Sequence, residues 1–191
     1  GSAANIAVEF KDNDVLGFLG TIDGDATHVA LRAALKIETY MINTSDPDPT
    51  LTETQIPWLT RVWPDDRQQC FHLADLVVRK SGCKRIAVFR ESSRPGRVGV
   101  MHFIHYIRRL GYPPVQHLFF KPGDQDIQPQ IEAINAANCD AILFYGQPED
   151  VGRFARQFRE AGIQARFFGF DRLKEASFQK AAGSAAENTT I

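Results

Sequence analysis

Asp140-Ala-Ile-Leu-Phe-Tyr145, then Pro148-Glu149-Asp150, then Ala165-Arg-Phe-Phe-Gly-Phe170 make up one complete unit of structure. The first stretch is a short apolar run bounded by polar residues, which predicts a strand buried on both faces. Pro148 is preset for the first turn of a helix, and the two acids after it suit the positive end of the helix dipole. Val151, Phe154, Ala155 and Phe158 then recur at helical spacing, and Gly162 ends the helix. Ala165 to Phe170 predicts the next strand. Strand, helix and strand in this order imply two parallel strands joined by a crossover.

Working outward, the same grammar repeats. Lys84-Arg-Ile-Ala-Val-Phe-Arg90 is a short β-rich run, followed by a helical stripe at Val100, Phe103, Ile104 and Ile107 that stops at Gly111. Val115 to Phe120 predicts another strand. Asp126 is placed to N-cap a helix with face Ile127, Ile131 and Ile134, and Pro129 is tolerated in its first turn. Strand starts recur every ~25–30 residues, the span of a βα unit. The expected fold class is therefore α/β, a parallel sheet covered by helices on both faces.

The first half is shorter. Asp14 to Leu19 and Glu38 to Thr44 predict strands, with a small-residue helix face at Ala26, Val29, Ala30 and Ala33 between them. A polar, proline-rich stretch from Ser45 to Pro57 breaks the pattern, and Trp58 to Trp63 suits a strand or a linker. A helix with face Cys70, Leu73, Ala74 and Val77 leads to Gly82. Two α/β segments joined near residues 57–66 account for this order. Two strands are too few for an independent sheet covered on both faces, so the first segment is expected to be part of something larger. Gly1-Ser2 reads as a proteolytic remnant and is left out of the fold.

Composition narrows the function. With 191 residues, 43% hydrophobic and 24% charged, the chain has enough apolar material for a core and is not a disordered type. Its 22 basic and 23 acidic side chains give a formal charge of −1, which removes the footprint of a general nucleic-acid binder. No apolar run approaches the ~18 residues of a membrane span, so no direct membrane insertion is expected. The three cysteines form no C-x-x-C pair, so neither a zinc site nor a disulfide framework is indicated. Cys83 and Cys139 each precede a strand and suit the role of a small buried hydrophobe.

Catalytic motifs are missing as well. There is no G-x-S-x-G, Walker loop, G-x-G-x-x-G or H-E-x-x-H, so neither an enzyme nor a cofactor is expected. Asp23, Asp25, Asp46 and Asp48 lack the pattern of a calcium loop and suit turn formation. His102 and His105 share a helix face without a third ligand at suitable spacing, so a solvated face is expected and no metal.

Ligands of open parallel sheets sit outside the carboxyl ends of the strands. Here those ends are Gly20 to Asp23, Thr44 to Asp48, Arg90 to Arg94, Tyr145 to Gln147 and Gly169 to Asp171. Arg90 and Arg94 are placed either to pair with an anionic ligand or to be solvated.

Several stretches, in order and spacing, carry a family resemblance. They are Asp14-Val-Leu-Gly-Phe-Leu-Gly-Thr21, Asp48-Pro-Thr-Leu-Thr52 and Arg61-Val-Trp-Pro-Asp-Asp-Arg-Gln-Gln69. Gly82-Cys-Lys-Arg-Ile-Ala-Val88, Lys121-Pro-Gly-Asp-Gln-Asp126, Pro148 through Gly162 and Phe167-Phe-Gly-Phe-Asp171 continue the series. Together they resemble the type I periplasmic binding protein superfamily. Within it, the resemblance is to the branched-chain amino-acid (leucine/isoleucine/valine) substrate-binding proteins of ABC transporters. It implies a three-layer parallel-sheet sandwich, with one nearly complete lobe plus part of the other. Residues 3–60 would be partial lobe 1, 61–66 the hinge crossing and 67–188 lobe 2. Residues 189–191 would begin the return to lobe 1. The earlier βα units of lobe 1 would precede Ala3, residues Ala4 to Lys11 would match the helix before the fourth strand, and the chain would be a fragment.

The resemblance also implies a site. Thr21 keeps the hydroxyl after the first strand, and Ser45 and Asp46 supply backbone groups for the ligand's carboxylate and amine. Tyr145 and Gln147 close the third strand of lobe 2, and Asp171 keeps the carboxylate that takes an ammonium. Pro47 stands where the family has threonine, Pro95 where it has one tyrosine, and Gln147 or Pro148 where it has another. A ligand with a different head group, or loss of amino-acid binding, stands beside ordinary branched-chain recognition. Asp171 is equally placed to cap a following helix. The implied function is an extracytoplasmic, periplasmic solute-binding protein of an ABC-type uptake system. It would close about a hinge on a small amino-acid-like or carboxylate ligand and be recognised by a membrane permease. The alternatives are a ligand-sensing regulatory or receptor domain of the same fold and, less favoured, an α/β enzyme.

Overall fold

The structure is a computed structural model that describes residues 9, 13, 15–20, 24–53 and 55–191. The chain divides into two compact units, residues 1–68 and 69–191. In the first, β1 (Gly17–Leu19), α1 (Gly24–Ile37), β2 (Tyr40–Asn43), α2 (Thr50–Glu53) and β3 (Leu59–Arg61) build a parallel sheet in the order β1-β2-β3. The Trp58–Trp63 stretch thus contributes a strand, with Met41 opposite Leu59 and Asn43 opposite Arg61. The segment holds three strands rather than two.

The buried face of α1 differs from the one expected. Thr27, Ala30, Leu31 and Ala34 face the core, while Val29 is 40% exposed. Both stripes have the spacing i, i+3, i+4 and i+7, and the buried one is displaced by one residue so that Leu31 reaches the core. Glu38 adopts φ 53°, a left-handed turn that ends the helix and delays β2 until Tyr40.

The second unit follows the repeat. After α3 (Asp66–Ala74) and a π-helical turn over Asp75–Lys80 come β4 (Ile86–Glu91), α4 (Arg94–Arg109), β5 (Gln116–Phe120) and α5 (Gln128–Ala137). Then come β6 (Ala141–Tyr145), α6 (Pro148–Glu160), β7 (Arg166–Gly169), α7 (Ala176–Ala182) and β8 (Thr189–Thr190). All pairings are parallel, in the order β5-β4-β6-β7-β8. Thr189 and Thr190 pair with Phe167 and Phe168.

Strand alternation divides the core into two layers. Ala87, Phe89, Ile142, Phe144 and Phe167 face α5, α6 and α7, while Ile86, Val88, Ala141, Leu143 and Phe168 face α3 and α4. The first layer is aromatic: the Phe89 ring lies 5.0 Å from Phe120, 5.6 Å from Phe154 and 5.3 Å from Phe158. Each such buried ring contributes about 1.5–3 kcal/mol over an exposed one. The stripe Cys70, Leu73, Ala74 and Val77 is buried as expected.

Polar side chains fix the ends of the elements. The Asp140 carboxylate accepts the N–H groups of Lys84 (2.8 Å) and Arg85 (3.0 Å), while its own backbone bonds to Arg85 and Arg166. Asp126 lies one residue too early to cap α5 and instead accepts the N–H of Gln128 at 2.8 Å. Asp150 is buried, not merely a dipole partner: it accepts the Gly123 N–H at 3.0 Å and pairs with Arg153 at 2.6 Å.

The cysteines are free thiols. Burial pushes the thiol of Cys83 up and that of Cys139 up to about 11, and Cys70 donates to the Gly99 carbonyl at 3.1 Å. Among the described residues, no helix is long and apolar enough to cross a membrane.

Gly152 marks the tightest approach of α6 to α7, since a Cβ there would fall 2.6 Å from the Phe178 carbonyl oxygen. Gly152→Ala is expected to lower stability by about 1–3 kcal/mol through overpacking. Urea denaturation followed by circular dichroism measures it. A variant as stable as the parent would show that these helices are not in close contact.

Candidate functional site

In the second sheet, β4 sends its chain through α4 to β5 on one side, and β6 sends its chain through α6 to β7 on the other. α4 and α6 lie on opposite faces. The loops leaving β4 and β6 therefore part, and the crevice where strand order reverses is the usual ligand position of an open parallel sheet. Arg90 pairs with Tyr145 and Phe144 with Gly169, so the carboxyl ends of β4, β6 and β7 are neighbours.

This edge gathers the second-unit candidates. The Tyr145 ring packs edge-on against Phe170, with centroids 4.7 Å apart. It also lies over Gly99, where a Cβ would come 2.1 Å from Tyr145 Cζ. Its ring is thus half of a core contact and half of the crevice wall. Gln147 is exposed at the start of α6, its carbonyl accepting the Val151 N–H at 3.0 Å and its side chain capping nothing. Asp171 opens a 3-10 turn, Asp171–Lys174, in which Phe170 holds the cap position and no side chain makes a cap hydrogen bond.

Pro95 sits in the first turn of α4. Ser93 caps that helix by accepting the Gly96 N–H at 3.3 Å. Gly96 is needed there, because a Cβ would fall 2.2 Å from the Glu91 carbonyl oxygen. The helix start is pressed onto the end of β4, and proline stiffens it.

In the first unit, the turn after β2 is knit from within. Asn43, buried at the end of the strand, accepts the N–H groups of Ser45 (3.2 Å) and Asp46 (2.9 Å) and donates to the Asp46 carbonyl at 2.8 Å. The backbone donors expected of Ser45 and Asp46 are thus already engaged. Asp46, 2% exposed, accepts the Asp48 N–H at 3.0 Å through Oδ1, while its Oδ2 is buried without a hydrogen bond. Asp48 in turn accepts from the Thr50 N–H and hydroxyl and meets His28 at 3.0 Å. Pro47 still contributes its carbonyl, which accepts the Asp66 N–H at 2.8 Å.

Arg61 clamps the same turn, donating to the carbonyls of Asp46 (3.0 Å) and Asp48 (2.8 Å) and to the Thr52 hydroxyl. Burial lowers its guanidinium pKa from the ordinary value, against the pull of Asp65, Asp46 and Asp48. Burial alone would raise the Asp65 carboxyl, but hydrogen bonds from Arg67 and the Gln68 N–H hold it below its ordinary value. Neither Asn43 nor Arg61 was a candidate from sequence. Asn followed by Thr-Ser-Asp-Pro at a strand end is the signal for the first, an Asx turn. Arg61 carries no local signal.

Thr21 and Asp23 lie outside the described residues, as does the side chain of Asp25. Asp46 and Asp48 act in the turn, and no group of three metal-ligating side chains occurs among the described residues. His105 is exposed and stacks on Tyr106.

The profile of the periplasmic binding protein family matches residues 1–191. The chain is 26% identical over 149 residues to "Leu/Ile/Val-binding protein homolog 3" of Brucella melitensis, covering 78% of this chain and 40% of that protein. Among solved structures, it superposes on a leucine binding protein from Thermotoga maritima with a TM-score of 0.88 at 24% identity, covering 96% of this chain and 52% of that one. A branched-chain amino acid transporter substrate binding protein from Streptococcus pneumoniae, in complex with isoleucine, gives 0.86 at 23% identity over 98% of this chain and 53% of its own. The chain thus spans about 40% of the length of the curated relatives it matches.

Asn43→Ala would leave two N–H groups and one carbonyl of a buried turn without partners. A loss of about 2–4 kcal/mol is expected, with faster hydrogen exchange at Ser45 and Asp46. Unchanged exchange at these two amides would show that Asn43 does not hold the turn.

Proposed function

The chain belongs to the periplasmic binding protein family, and from that premise we propose that it is the ligand-holding part of an extracytoplasmic solute-binding protein of an ABC-type uptake system. The observation that carries this reading is the reversal of strand order between β4 and β6, with Tyr145, Gln147 and Asp171 at the adjoining carboxyl ends. The ligand is small and amino-acid-like or a carboxylate. Asp171 takes its ammonium group, Gln147 offers an exposed amide, and the Tyr145 and Phe170 rings give an apolar wall. Thr21 meets the other end of the ligand beside the Ser45–Asp46 turn, whose N–H groups are already taken by Asn43. Because Asn43 and Arg61 already hold that turn, little ordering is left to be done on binding.

By the resemblance, Pro47 stands where the family has threonine, and Pro95 and either Gln147 or Pro148 stand where it has tyrosines. These replacements support a head group other than that of an ordinary branched-chain amino acid. Closure about residues 61–66 brings the lobes, 3–60 and 67–188, onto the ligand. A ligand shifts that equilibrium only by its difference in affinity for the two states. The closed form is what a membrane permease recognises. The residues bind and release and carry out no turnover, in keeping with a family of substrate-binding proteins.

A thermal-shift screen of amino acids, aromatic acids and small amides tests this. A ligand at about a hundred times its Kd should stabilise the protein by about 2.7 kcal/mol. Asp171→Asn should weaken a ligand bearing an ammonium roughly 10–100-fold, the worth of a charge-assisted hydrogen bond. No stabilising compound in any class, or an ammonium-bearing one indifferent to Asp171→Asn, would sink the assignment.

A further inference from the structure

Three arginines of the second unit gather on one flank without an acid among them. Arg90 leaves β4 on the face that carries Val88, beside His117 and Phe119 of the edge strand β5. Its Nε donates to His117 Nε2 at 2.9 Å, its Nη1 donates to the Glu91 carbonyl at 2.9 Å, and its plane lies 5.8 Å from the centre of the Phe119 ring. Arg97 of α4 donates from Nη1 to the next carbonyl, that of Ser92, at 2.9 Å. The two guanidinium groups are therefore anchored on successive carbonyls. Arg108, exposed and three turns further along α4, faces His117.

Some guanidinium groups elsewhere in the chain find carboxylates, as Arg67 does with Asp65 and Glu53 and Arg153 with Asp150, while others, such as Arg61, Arg85 and Arg159, are spent on backbone carbonyls. Arg90, Arg97 and Arg108 have no such partner among the described residues. In a chain of net charge −1, this concentration of positive charge is local and uncompensated. Of the five N–H groups on a guanidinium, Arg90 commits two to protein atoms and Arg97 one. The rest are donors held in place at short range, as bidentate recognition of an oxyanion requires.

We propose that this flank is a binding site for a small free oxyanion, a carboxylate or phosphate-type group, gripped by Arg90 and Arg97 with His117 and Arg108 at its far end. It is separate from the reversal point between β4 and β6, lying on the β5 side of β4. The occupant is a small anion rather than a nucleic acid, because the patch is confined to four side chains.

His117 gives the site a pH dependence with a definite sign. As acceptor of the Arg90 N–H, its Nε2 carries no proton and the ring is neutral. Burial, then Arg90 on β4, then Arg108 on α4 lower its pKa from the ordinary value. A proton added to Nε2 would break the bond that anchors Arg90, so the site as built needs the neutral ring. Affinity is then expected to hold from about pH 8 down to the imidazole range near 6.5 and to fall below it, as the ring protonates.

The test is titration with sodium sulfate, which does not itself titrate in this range, and with sodium succinate as the carboxylate arm, each against chloride at matched ionic strength. The readout is the Nε–H resonances of Arg90 and Arg97 and the His117 ring. Saturable shifts that weaken once the pH falls below the imidazole range, weaken roughly tenfold in Arg97→Gln and begin to fade at a higher pH in Arg108→Gln support the site. Preference for sulfate or succinate identifies the head group. Shifts that rise linearly without saturation, or an Arg97→Gln protein that circular dichroism shows to be folded and that binds as before, overturn it.

Discussion

Two neighbouring parallel strands, β4 and β6, must hand their chains to helices on opposite faces of one sheet. Everything at the carboxyl edge of the second unit depends on that constraint. A right-handed crossover from β4 to β5 and another from β6 to β7 can be built together only if α4 and α6 lie on different faces. The loops then separate, and the space between them is lined by whatever closes the strands: Ser93 and Pro95, Gly146 and Gln147, Phe170 and Asp171. Glycine permits this closeness where helix meets strand. Gly96 admits the Glu91 carbonyl and Gly99 admits the Tyr145 ring, so helix and strand meet there at close range.

The first unit meets the same need by other means. Its turn after β2 has no following helix of any length, since α2 is a single turn. Asn43 and Arg61 supply the missing order by taking up the backbone groups that a longer helix would have satisfied. The turn is consequently rigid before any ligand arrives, and Pro47, which lacks an N–H, fits it without loss.

Much of the fold is legible in the sequence because periodicity and punctuation agree. Pro148 opens α6, Gly162 ends it, and Val151, Phe154, Ala155 and Phe158 are all buried. Where signals are weak, legibility fails for identifiable reasons. The α1 face is misjudged by one residue because alanines occur all round that helix and give little contrast. Asp126 looks like a cap, yet the helix begins with Gln128. At the site, Tyr145, Gln147 and Asp171 are foreseeable from strand ends alone. Asn43 and Arg61 are harder, because their work is done across sequence gaps, in Arg61's case with Asp46 and Asp48, and only the folded turn reveals it. The neighbourhood of Arg90, Arg97, Arg108 and His117 is likewise scattered over three elements.

Asp140 has a wider meaning than its three strand contacts suggest. One carboxylate and its own backbone tie the amino ends of β4, β6 and β7 together, at the edge of the sheet farthest from the crevice. Strand alignment is therefore secured at the amino edge. The opposite edge is relieved of that duty, and the loops that leave the strands there are free of the work of holding the sheet in register.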